Sequence, residues 1–302
     1  MKLPAHRAGL PEEEVSFVLR PLPRQQCGAG GARPGQIQNH QGAQAMRIAS
    51  IQLKVTEESK DKALEHATWM IRQCREADLI LLPELWNIGF MSFDRYRDEA
   101  ETQEGRTLTL LRTLARELSC HVHTGSFVEK RGDQLYNSSF LLNPQGEILG
   151  SYRKIHLFSY QSEEAELLTP GTSVAVIPTE FGNFGLATCY DLRFPELFRK
   201  MLDQGAEFFL ISSAWPTPRL EHWLLLNRTR ALENLSYLIS SNCVGINRGT
   251  PFAGHSLVVG PMGEMIAEGN DEECVVWGEV NRNIVLRARS EFSALKDRVF
   301  KT

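Results

Sequence analysis

Cys189 has the surroundings that most clearly indicate chemistry in this chain. The apolar run at residues 184–188 ends at this cysteine, and Tyr-Asp-Leu-Arg-Phe-Pro follows it directly. We predict that a buried strand carries the thiol to its C-terminal end, where α/β enzymes usually place reacting groups. A helix that begins there favours the thiolate over the thiol, as a sulfur nucleophile requires. The alternative is that Cys189 is a small buried hydrophobic residue, as free cysteines often are.

Glu84 occupies a similar position after the apolar run at residues 77–82 and Pro83. Apolar residues follow it closely in the segment at residues 85–90. A carboxylate in such surroundings is expected to have a raised pKa, because desolvation penalises its charged form. A general base needs that shift. The alternative is a solvated glutamate at the end of a strand.

Lys154 lies in an alternating segment in which Tyr152 and His156 are predicted to share its face of a strand. A solvated lysine on that strand is the alternative. The lysine completes a set of three groups that can act together in nucleophilic catalysis, with Glu84 and Cys189 as the other two. The carboxylate takes the thiol proton, the sulfur attacks a carbonyl carbon, and the ammonium stabilises the oxyanion.

The three motifs, LLPELW, YRKIHLF and CYDLRFPE, resemble in this order the Glu-Lys-Cys triad of the nitrilase (carbon–nitrogen hydrolase) superfamily. The resemblance extends from Met46 to about Thr302. It includes the hairpin region at residues 125–154 and the segments RTRALEN and FAGHSLVVGPMGE. Within the superfamily, LPELWNIGF, SSAWPTPRLEHW and FAGHS are most similar to the ω-amidase (2-oxoglutaramate amidase) branch.

Alternating strand and helix signals from Met46 onward predict an α/β domain. They leave open whether there is one sheet or two. The resemblance implies a four-layer αββα sandwich spanning residues 46–302. Residues 1–45 differ, because Gly, Pro and Gln supply 17 of the 45 and apolar residues show no sustained period. We predict that they form a disordered or non-native extension, with Met46 at the domain boundary or the natural start.

Composition narrows the function classes. The 302 residues are 42% hydrophobic with a formal net charge of −4, which predicts no recruitment to nucleic acid or to an anionic membrane. No apolar run approaches the roughly 20 residues of a membrane span. The six cysteines show neither a C-x-x-C pair nor zinc-ligand spacing. We therefore predict reduced thiols in a cytoplasmic protein, with no metal and no cofactor.

A further carboxylate is implied by the resemblance. Glu164 matches the additional glutamate of ω-amidase-like relatives, which helps to position substrate and lysine. Glu163 and Glu166 are neighbours in the same acidic stretch, and a solvated loop is the alternative for all three. Glu129 is a weaker candidate and is expected at the surface.

Four side chains are predicted to line the substrate pocket: Tyr190, Arg193, Trp215 and Phe90. The first three flank the nucleophile or end the next strand, and the last supplies an apolar wall. Arg193 either clamps a substrate carboxylate bidentately or forms a structural ion pair with Asp191 or Glu196. The sequence leaves both interpretations open.

The leading hypothesis is a cysteine-dependent amidase that acts on the terminal amide of a small dicarboxylate monoamide such as 2-oxoglutaramate. The thiolate adds to the amide carbon, Lys154 and the backbone N–H of Tyr190 stabilise the oxyanion, ammonia leaves, and water hydrolyses the thioester. The alternatives are an N-carbamoyl amino acid hydrolase, a deaminated-glutathione amidase, a nitrilase, or a catalytically silent binding protein of the same fold.

The expected partners are a small amide substrate and a second copy of the chain. The resemblance implies a homodimer or a higher homo-oligomer. Its contacts are expected in three segments: residues 194–202, 221–235 and 290–302.

Overall fold

Two six-stranded β-sheets form the centre of the structure, a computed structural model that describes residues 45–300. The strands are numbered in chain order. The first sheet contains β1 (Met46–Gln52), β3 (Leu79–Leu81), β4 (His121–Arg131), β5 (Gln134–Leu142), β6 (Ile148–Arg153) and β15 (Cys274–Val280). Its order is β15-β1-β3-β4-β5-β6, and β1, β3 and β4 are parallel.

The second sheet contains β7 (Ala175–Thr179), β8 (Gly182–Thr188), β9 (Phe208–Ser213), β10 (Tyr237–Asn242), β13 (Leu257–Val259) and β14 (Met265–Glu268). Its order is β14-β13-β10-β9-β8-β7, with β8, β9 and β10 parallel. A small third sheet contains β2 (Lys54–Val55), β11 (Val244–Asn247) and β12 (Thr250–Ala253) in the order β12-β11-β2.

Helices pack on the two large sheets. The described helices are α1 (Lys60–Arg72), α2 (Arg106–Leu118), α3 (Glu164–Leu167), α4 (Pro195–Asp203), α5 (Leu220–Asn234) and α6 (Arg282–Glu291). α1 and α2 share a core with the first sheet, and α4 and α5 pack on the second. The apolar faces between the sheets form the largest core. The predicted four-layer αββα sandwich is thereby confirmed.

The helical periodicity of the sequence explains these layers. In α1 the apolar stripe of Leu64, Ala67 and Ile71 is buried, and the Ser59 side chain accepts a hydrogen bond from the Lys62 N–H at the helix start. Leu111 and Leu114 of α2 are buried in the same way. Burial of one apolar stripe against a sheet is what stabilises such helices, since isolated helices of this length are marginal in water.

The C-terminal ends of β3, β8 and β9 meet at one edge of the sandwich. The Glu84 N–H, just beyond β3, donates to the Ser213 carbonyl at the end of β9, with 3.3 Å between N and O. Gly125 permits a close approach on the other side, because its φ of +64° allows the Ser126 N–H to donate to the Pro83 carbonyl at 3.1 Å. The segment that carries Glu84 is thus fixed from both sheets.

One predicted strand boundary differs from the structure, and one predicted domain boundary lies at the edge of the described residues. Strand β6 ends at Arg153. Lys154 and His156 therefore lie beyond the strand and not, as the alternation had predicted, on its face with Tyr152. The prediction for residues 1–45 falls outside the described residues, apart from Ala45. Within residues 45–300, no helix has the length and apolar character needed to cross a membrane.

Candidate active site

Three fully buried charged side chains meet at the strand ends: Glu84, Lys154 and Glu164. The Lys154 ammonium donates to Glu84 Oε1 at 2.8 Å and to both carboxylate oxygens of Glu164 at 2.9 Å. Buried ions are stable only when such partners replace the lost hydration. The structure therefore brings together two of the predicted triad residues and the predicted additional glutamate.

Glu84 is held in one orientation by backbone as well as by side chains. Its Oε2 accepts a hydrogen bond from the Ala214 N–H at 3.0 Å. The next residue, Leu85, has a φ of +46°, a conformation that non-glycine residues rarely adopt. Such backbone strain is found where surrounding structure over-determines a functional side chain.

Of the three neighbouring acidic residues, Glu164 faces the site, whereas Glu163 and Glu166 are exposed. Glu164 opens the short helix α3, and its Oε2 also accepts from the Phe158 N–H at 2.7 Å. Burial raises the pKa of the Glu164 carboxyl, while the Lys154 ammonium and the Phe158 N–H act in the opposite direction.

Asn137 on β5 completes this cluster and was missed by the sequence analysis. Its Nδ2 donates to Glu84 Oε1 and to Glu164 Oε1, both at 2.9 Å. Its backbone carbonyl also accepts from the Lys154 N–H at 2.9 Å. The side-chain amide thus orients both carboxylates, and the backbone carbonyl of the same residue holds the Lys154 backbone. The polar run Asn-Ser-Ser inside an otherwise apolar strand was the available signal.

Replacing Asn137 by Ala is expected to lower both stability and turnover. Two buried carboxylates each lose a donor, which costs about 1–3 kcal/mol of unfolding free energy per unsatisfied group. Thermal unfolding and ammonia-release kinetics measure the two effects. The exposed Gln145 on the β5–β6 turn supplies a control, since Gln145→Ala removes an amide that touches neither carboxylate. Equal behaviour of the two variants would contradict the role assigned to Asn137.

Cys189 begins a short 3₁₀ turn, Cys189–Arg193, directly after β8. It is 7% exposed and has a φ of +47°, so it is a strained residue at a strand-to-helix turn. Thr188 and Asp191 form a capping box across this turn, in which the Thr188 N–H donates to Asp191 Oδ2 at 2.9 Å. This cap determines where the thiol points.

Asp191 also connects the cysteine turn to the lysine segment, a role that the sequence analysis missed. Its carboxylate is buried and accepts from the Tyr152 hydroxyl at 2.7 Å and from the His156 N–H at 3.1 Å. His156 Nδ1 lies 2.7 Å from the same carboxylate. Because Lys154 stands between these two residues, the contacts hold it in register with Cys189.

The charges of Glu84 and Lys154 both act on the thiol. Burial raises the pKa of Cys189 well above that of an ordinary thiol, and Glu84 adds to the rise. The Lys154 ammonium and the Ser213 hydroxyl lower it without offsetting the rise. Lys154 therefore acts on the thiol in the predicted direction, but burial and Glu84 outweigh it, and the raised pKa favours the neutral thiol. A neutral thiol needs a base before it can act as a nucleophile.

Burial by itself acts to lower the pKa of Lys154, but the carboxylates of Glu164 and Glu84 raise it above the usual lysine value. The site thus holds a permanent ammonium. Among residues 45–300, no group of three or more His, Cys, Asp or Glu side chains is arranged to hold a metal ion.

The four predicted pocket residues surround this centre in different ways. Phe90 is buried, with the Lys154 Nζ 5.3 Å from its ring centre, and Trp215 is buried at the end of β9. Tyr190 is half-buried and directly follows Cys189. The Arg193 guanidinium lies 4.9 Å from the Trp215 ring centre and 6.0 Å from that of Tyr190.

Arg193 does not form the alternative ion pair with Asp191 or Glu196. Asp191 is turned inward to Tyr152 and His156, and within residues 45–300 the Arg193 guanidinium has no carboxylate partner at ion-pair distance. Its polar neighbour is His222 Nδ1, 3.2 Å from Nη2. A guanidinium at this position remains available to an anion.

The sequence predicted a surface position for Glu129, but the structure buries this residue. It is 2% exposed and accepts from the Ser138 hydroxyl at 2.7 Å, the Arg153 Nε at 2.9 Å and the Gln103 side chain at 3.0 Å. These partners satisfy a buried structural carboxylate. They stabilise the β4–β5–β6 region that precedes Lys154.

Comparison with known proteins places this arrangement in a family. The profile of the carbon-nitrogen hydrolase family matches residues 47–289. The chain belongs to the carbon-nitrogen hydrolase family. This confirms the resemblance drawn from the three motifs, and the chain is accordingly an amide-hydrolysing enzyme.

Two relatives illustrate the similarity in sequence. The chain is 34% identical over 261 residues to a 2-oxoglutaramate amidase of Paenarthrobacter nicotinovorans, covering 83% of this chain and 88% of that protein. It is 32% identical over 255 residues to omega-amidase NIT2 of Bos taurus, covering 81% and 92%.

Solved structures agree. Nit3 of Saccharomyces cerevisiae, a member of branch 10 of the nitrilase superfamily, superposes with a TM-score of 0.79 at 30% identity, covering 85% of this carbon-nitrogen hydrolase and 97% of that chain. XC1258 of Xanthomonas campestris, a CN-hydrolase superfamily protein, has a TM-score of 0.80 at 25% identity, covering 86% and 99%.

Proposed function

We propose that this enzyme hydrolyses the terminal amide of a small dicarboxylate monoamide, of the 2-oxoglutaramate type, through a thioester on Cys189. The observation that carries the proposal is the fully buried pair Glu84–Lys154, whose charges act on the adjacent thiol. No structural role requires a base and a permanent cation beside a neutral, strained cysteine.

In the acylation half-reaction, Glu84 removes the proton of the Cys189 thiol as the sulfur attacks the amide carbon. The C–S bond forms and the carbonyl π electrons move to oxygen. Protonated Glu84 then gives this proton to the nitrogen as the C–N bond breaks, and ammonia leaves. Because burial raises the pKa of the thiol, proton transfer to Glu84 accompanies attack rather than preceding it.

The oxyanion is stabilised by Lys154 and by the Tyr190 N–H. Lysine has three N–H donors, and Glu84 and Glu164 together engage the ammonium from two sides. These three contacts use all three donors, so the substrate oxygen takes the place of one of the two Glu164 contacts. The Tyr190 N–H lies in the first turn of the 3₁₀ segment, where no intrahelical acceptor precedes it. Each such donor is worth about a hundredfold or more in rate.

In the second half-reaction, Glu84 accepts a proton from water as the water oxygen attacks the thioester carbon. The C–S bond breaks, the carboxylic acid leaves, and the sulfur recovers the proton held by Glu84. Glu164 and Asn137 keep Lys154 and Glu84 in place during both steps, through hydrogen bonds to the Lys154 ammonium and to Glu84 Oε1.

The substrate class is supported by Arg193 and by the relatives. A guanidinium with no carboxylate partner stands over Trp215 beside the nucleophile, and its fork geometry suits a substrate carboxylate. The relatives described as 2-oxoglutaramate amidase and omega-amidase support the same class.

A substrate panel on the full chain tests the proposal. 2-Oxoglutaramate, succinamate, N-carbamoyl-β-alanine and a simple nitrile are compared by kcat/KM, with ammonia and carbon dioxide both measured. We expect ammonia without carbon dioxide and the highest kcat/KM for the dicarboxylate monoamides. Fastest turnover of the carbamoyl compound with carbon dioxide, or of the nitrile, would place the enzyme in another branch of the superfamily.

We also propose that the chain forms a homodimer through α5. Leu225 and Leu232 are seven residues apart on that helix, and 65% and 47% of their surfaces are exposed, so they lie on one exposed face of the helix. Light scattering is expected to show a dimer at micromolar concentration and a monomer after Leu225→Glu with Leu232→Glu. Trp69→Glu, an equally exposed site on α1, is the control. A monomeric wild type contradicts this proposal.

We further propose a cytoplasmic location. Cys189 carries no disulfide, nor do the buried Cys74, Cys120 and Cys243. A thiol nucleophile is retained in the reducing conditions of that compartment, whereas oxidation would remove it.

A further inference from the structure

Arg219, in the 3₁₀ turn Thr217–Arg219 before α5, is a second arginine for which the described residues provide no carboxylate partner. Its guanidinium carbon lies 5.7 Å from the Phe158 ring centre and 5.4 Å from that of Tyr160. In the described part of the chain, no Asp or Glu oxygen is within ion-pair distance of it. Stacking on aromatic rings holds a guanidinium plane without consuming its N–H donors.

The aromatic residues under Arg219 belong to the wall of the active site. The Phe158 ring packs edge-on against Tyr190, with 5.1 Å between ring centres, and Tyr190 directly follows Cys189. The Phe158 N–H donates to Glu164 Oε2 at 2.7 Å. Arg219 is therefore supported by the same residues that border the nucleophile and the buried glutamate.

Arg219 and Arg193 are also linked through Trp215. The indole N–H of Trp215 donates to the Arg219 carbonyl at 2.8 Å, while the Arg193 guanidinium stands 4.9 Å from the centre of the same ring. The nearby acidic residues in sequence, Glu196 and Glu221, are exposed and form no ion pair with either arginine in the described residues. Both cations remain available at one rim.

The charge balance of the site explains why two arginines are needed. Glu84 and Glu164 place two carboxylates around the single ammonium of Lys154, and the buried Asp191 adds a third beside the cysteine turn, so the reacting centre repels an anionic substrate. Arg193 alone still leaves a net negative charge among these side chains. Arg219 brings the sum to neutral, which removes the repulsion and allows the two guanidinium groups to orient an anion.

We propose that Arg219 is a second cationic contact for the substrate, so that the pocket selects amides whose far end carries a carboxylate or a 2-oxo carboxylate. Arg193 and Arg219 bind that end while Cys189 attacks the amide carbon. This specificity role rests on the proposed amidase function and deepens it.

The test compares Arg219→Gln and Arg219→Lys with wild type on succinamate, 2-oxoglutaramate and the uncharged butanamide. For Arg219→Gln we expect kcat/KM for the two anionic amides to fall about 10- to 100-fold relative to butanamide, mainly through KM, because a charge-assisted hydrogen bond is lost. Arg219→Lys is expected to regain part of that loss, since the charge remains. Arg116→Gln, at an exposed position on α2, is the matched control and should leave the ratio unchanged.

Two results would overturn the specificity role. One is an equal loss on anionic and uncharged amides, which would indicate only a structural function for Arg219. The other is an unchanged ratio in Arg219→Gln. If the wild type hydrolyses none of the three amides, the proposed amidase function itself fails and this inference fails with it, an outcome that the wild-type measurement alone distinguishes.

Discussion

Replacing Cys189 by Ala is expected to reduce ammonia release by about 10⁴-fold or more, which is the scale seen when a covalent nucleophile is removed. The neighbouring Ser213 hydroxyl is not expected to take the place of the sulfur, because no base among the described residues is hydrogen-bonded to it. The oxyanion donors remain, but they have no tetrahedral intermediate to stabilise. Steady-state ammonia assays measure the loss.

The fold is expected to survive this change, since Ala removes a single atom from a buried site. Acid-quenched wild type incubated with substrate should carry an acyl group on the peptide that contains Cys189, and the Ala variant should not. Cys120→Ala is the matched control, because Cys120 is equally buried but lies in the core under α2. Substantial activity in Cys189→Ala, or an equal loss in Cys120→Ala, would rule out the thioester route.

Replacing Lys154 by Met is expected to cost about 3–5 kcal/mol of unfolding free energy, as is typical when one partner of a buried ion pair is removed. The carboxylates of Glu84 and Glu164 then face each other with Asn137 but without a cation. Activity should fall by at least about a hundredfold, because an oxyanion donor is lost as well. Thermal unfolding and kcat measure the two effects separately.

The stability loss in Lys154→Met should depend on pH. Burial already raises the pKa of Glu164, and the Lys154 ammonium is the main group that opposes the rise. Without it, the folded state retains a proton that the unfolded chain releases above about pH 4.3. Since the folded state then binds more protons, stability decreases as pH rises. The difference in Tm between wild type and variant should therefore be larger at pH 8 than at pH 5.

Lys60→Met supplies the control for charge burial. The Lys60 ammonium is 6% exposed, forms an ion pair with Glu101 and donates to the Glu99 carbonyl at 2.7 Å. This variant should lose stability but retain turnover per folded molecule. If it lost as much turnover as Lys154→Met, or if Lys154→Met kept wild-type kcat, Lys154 would have no special part in the reaction.

Local sequence patterns predicted that Glu84 and Cys189 would stand at the ends of buried strands, because each follows an apolar run. Glu84 follows β3 and Cys189 follows β8, and the carboxyl ends of parallel strands meet at one edge of a sheet. The helical stripes of α1 and α2 were equally readable, since burial of one face imposes a 3.6-residue period. The four-layer arrangement came from the family resemblance rather than from these patterns.

Other features of the site depend on contacts between residues far apart in the sequence, which hydrophobic periodicity does not reveal. Asn137 contacts Glu84 across 53 positions of sequence, and Asp191 contacts Tyr152 across 39. Glu129 was expected at the surface, because strand alternation shows which face of the sheet a residue lies on but not which side chains cover that face. Its partner Arg153 comes from 24 positions away.

The residue types, their order and their placement at strand ends determined which chemistry this chain can perform. Tertiary structure alone decided which of Glu163, Glu164 and Glu166 turns inward, that Arg193 has no carboxylate partner within residues 45–300, and that burial raises the pKa of the Cys189 thiol. The reason is that a pKa and a hydrogen bond depend on dehydration and on atoms within a few ångströms. Those atoms are brought there by segments far apart in the chain, whereas an apolar period depends only on positions close together.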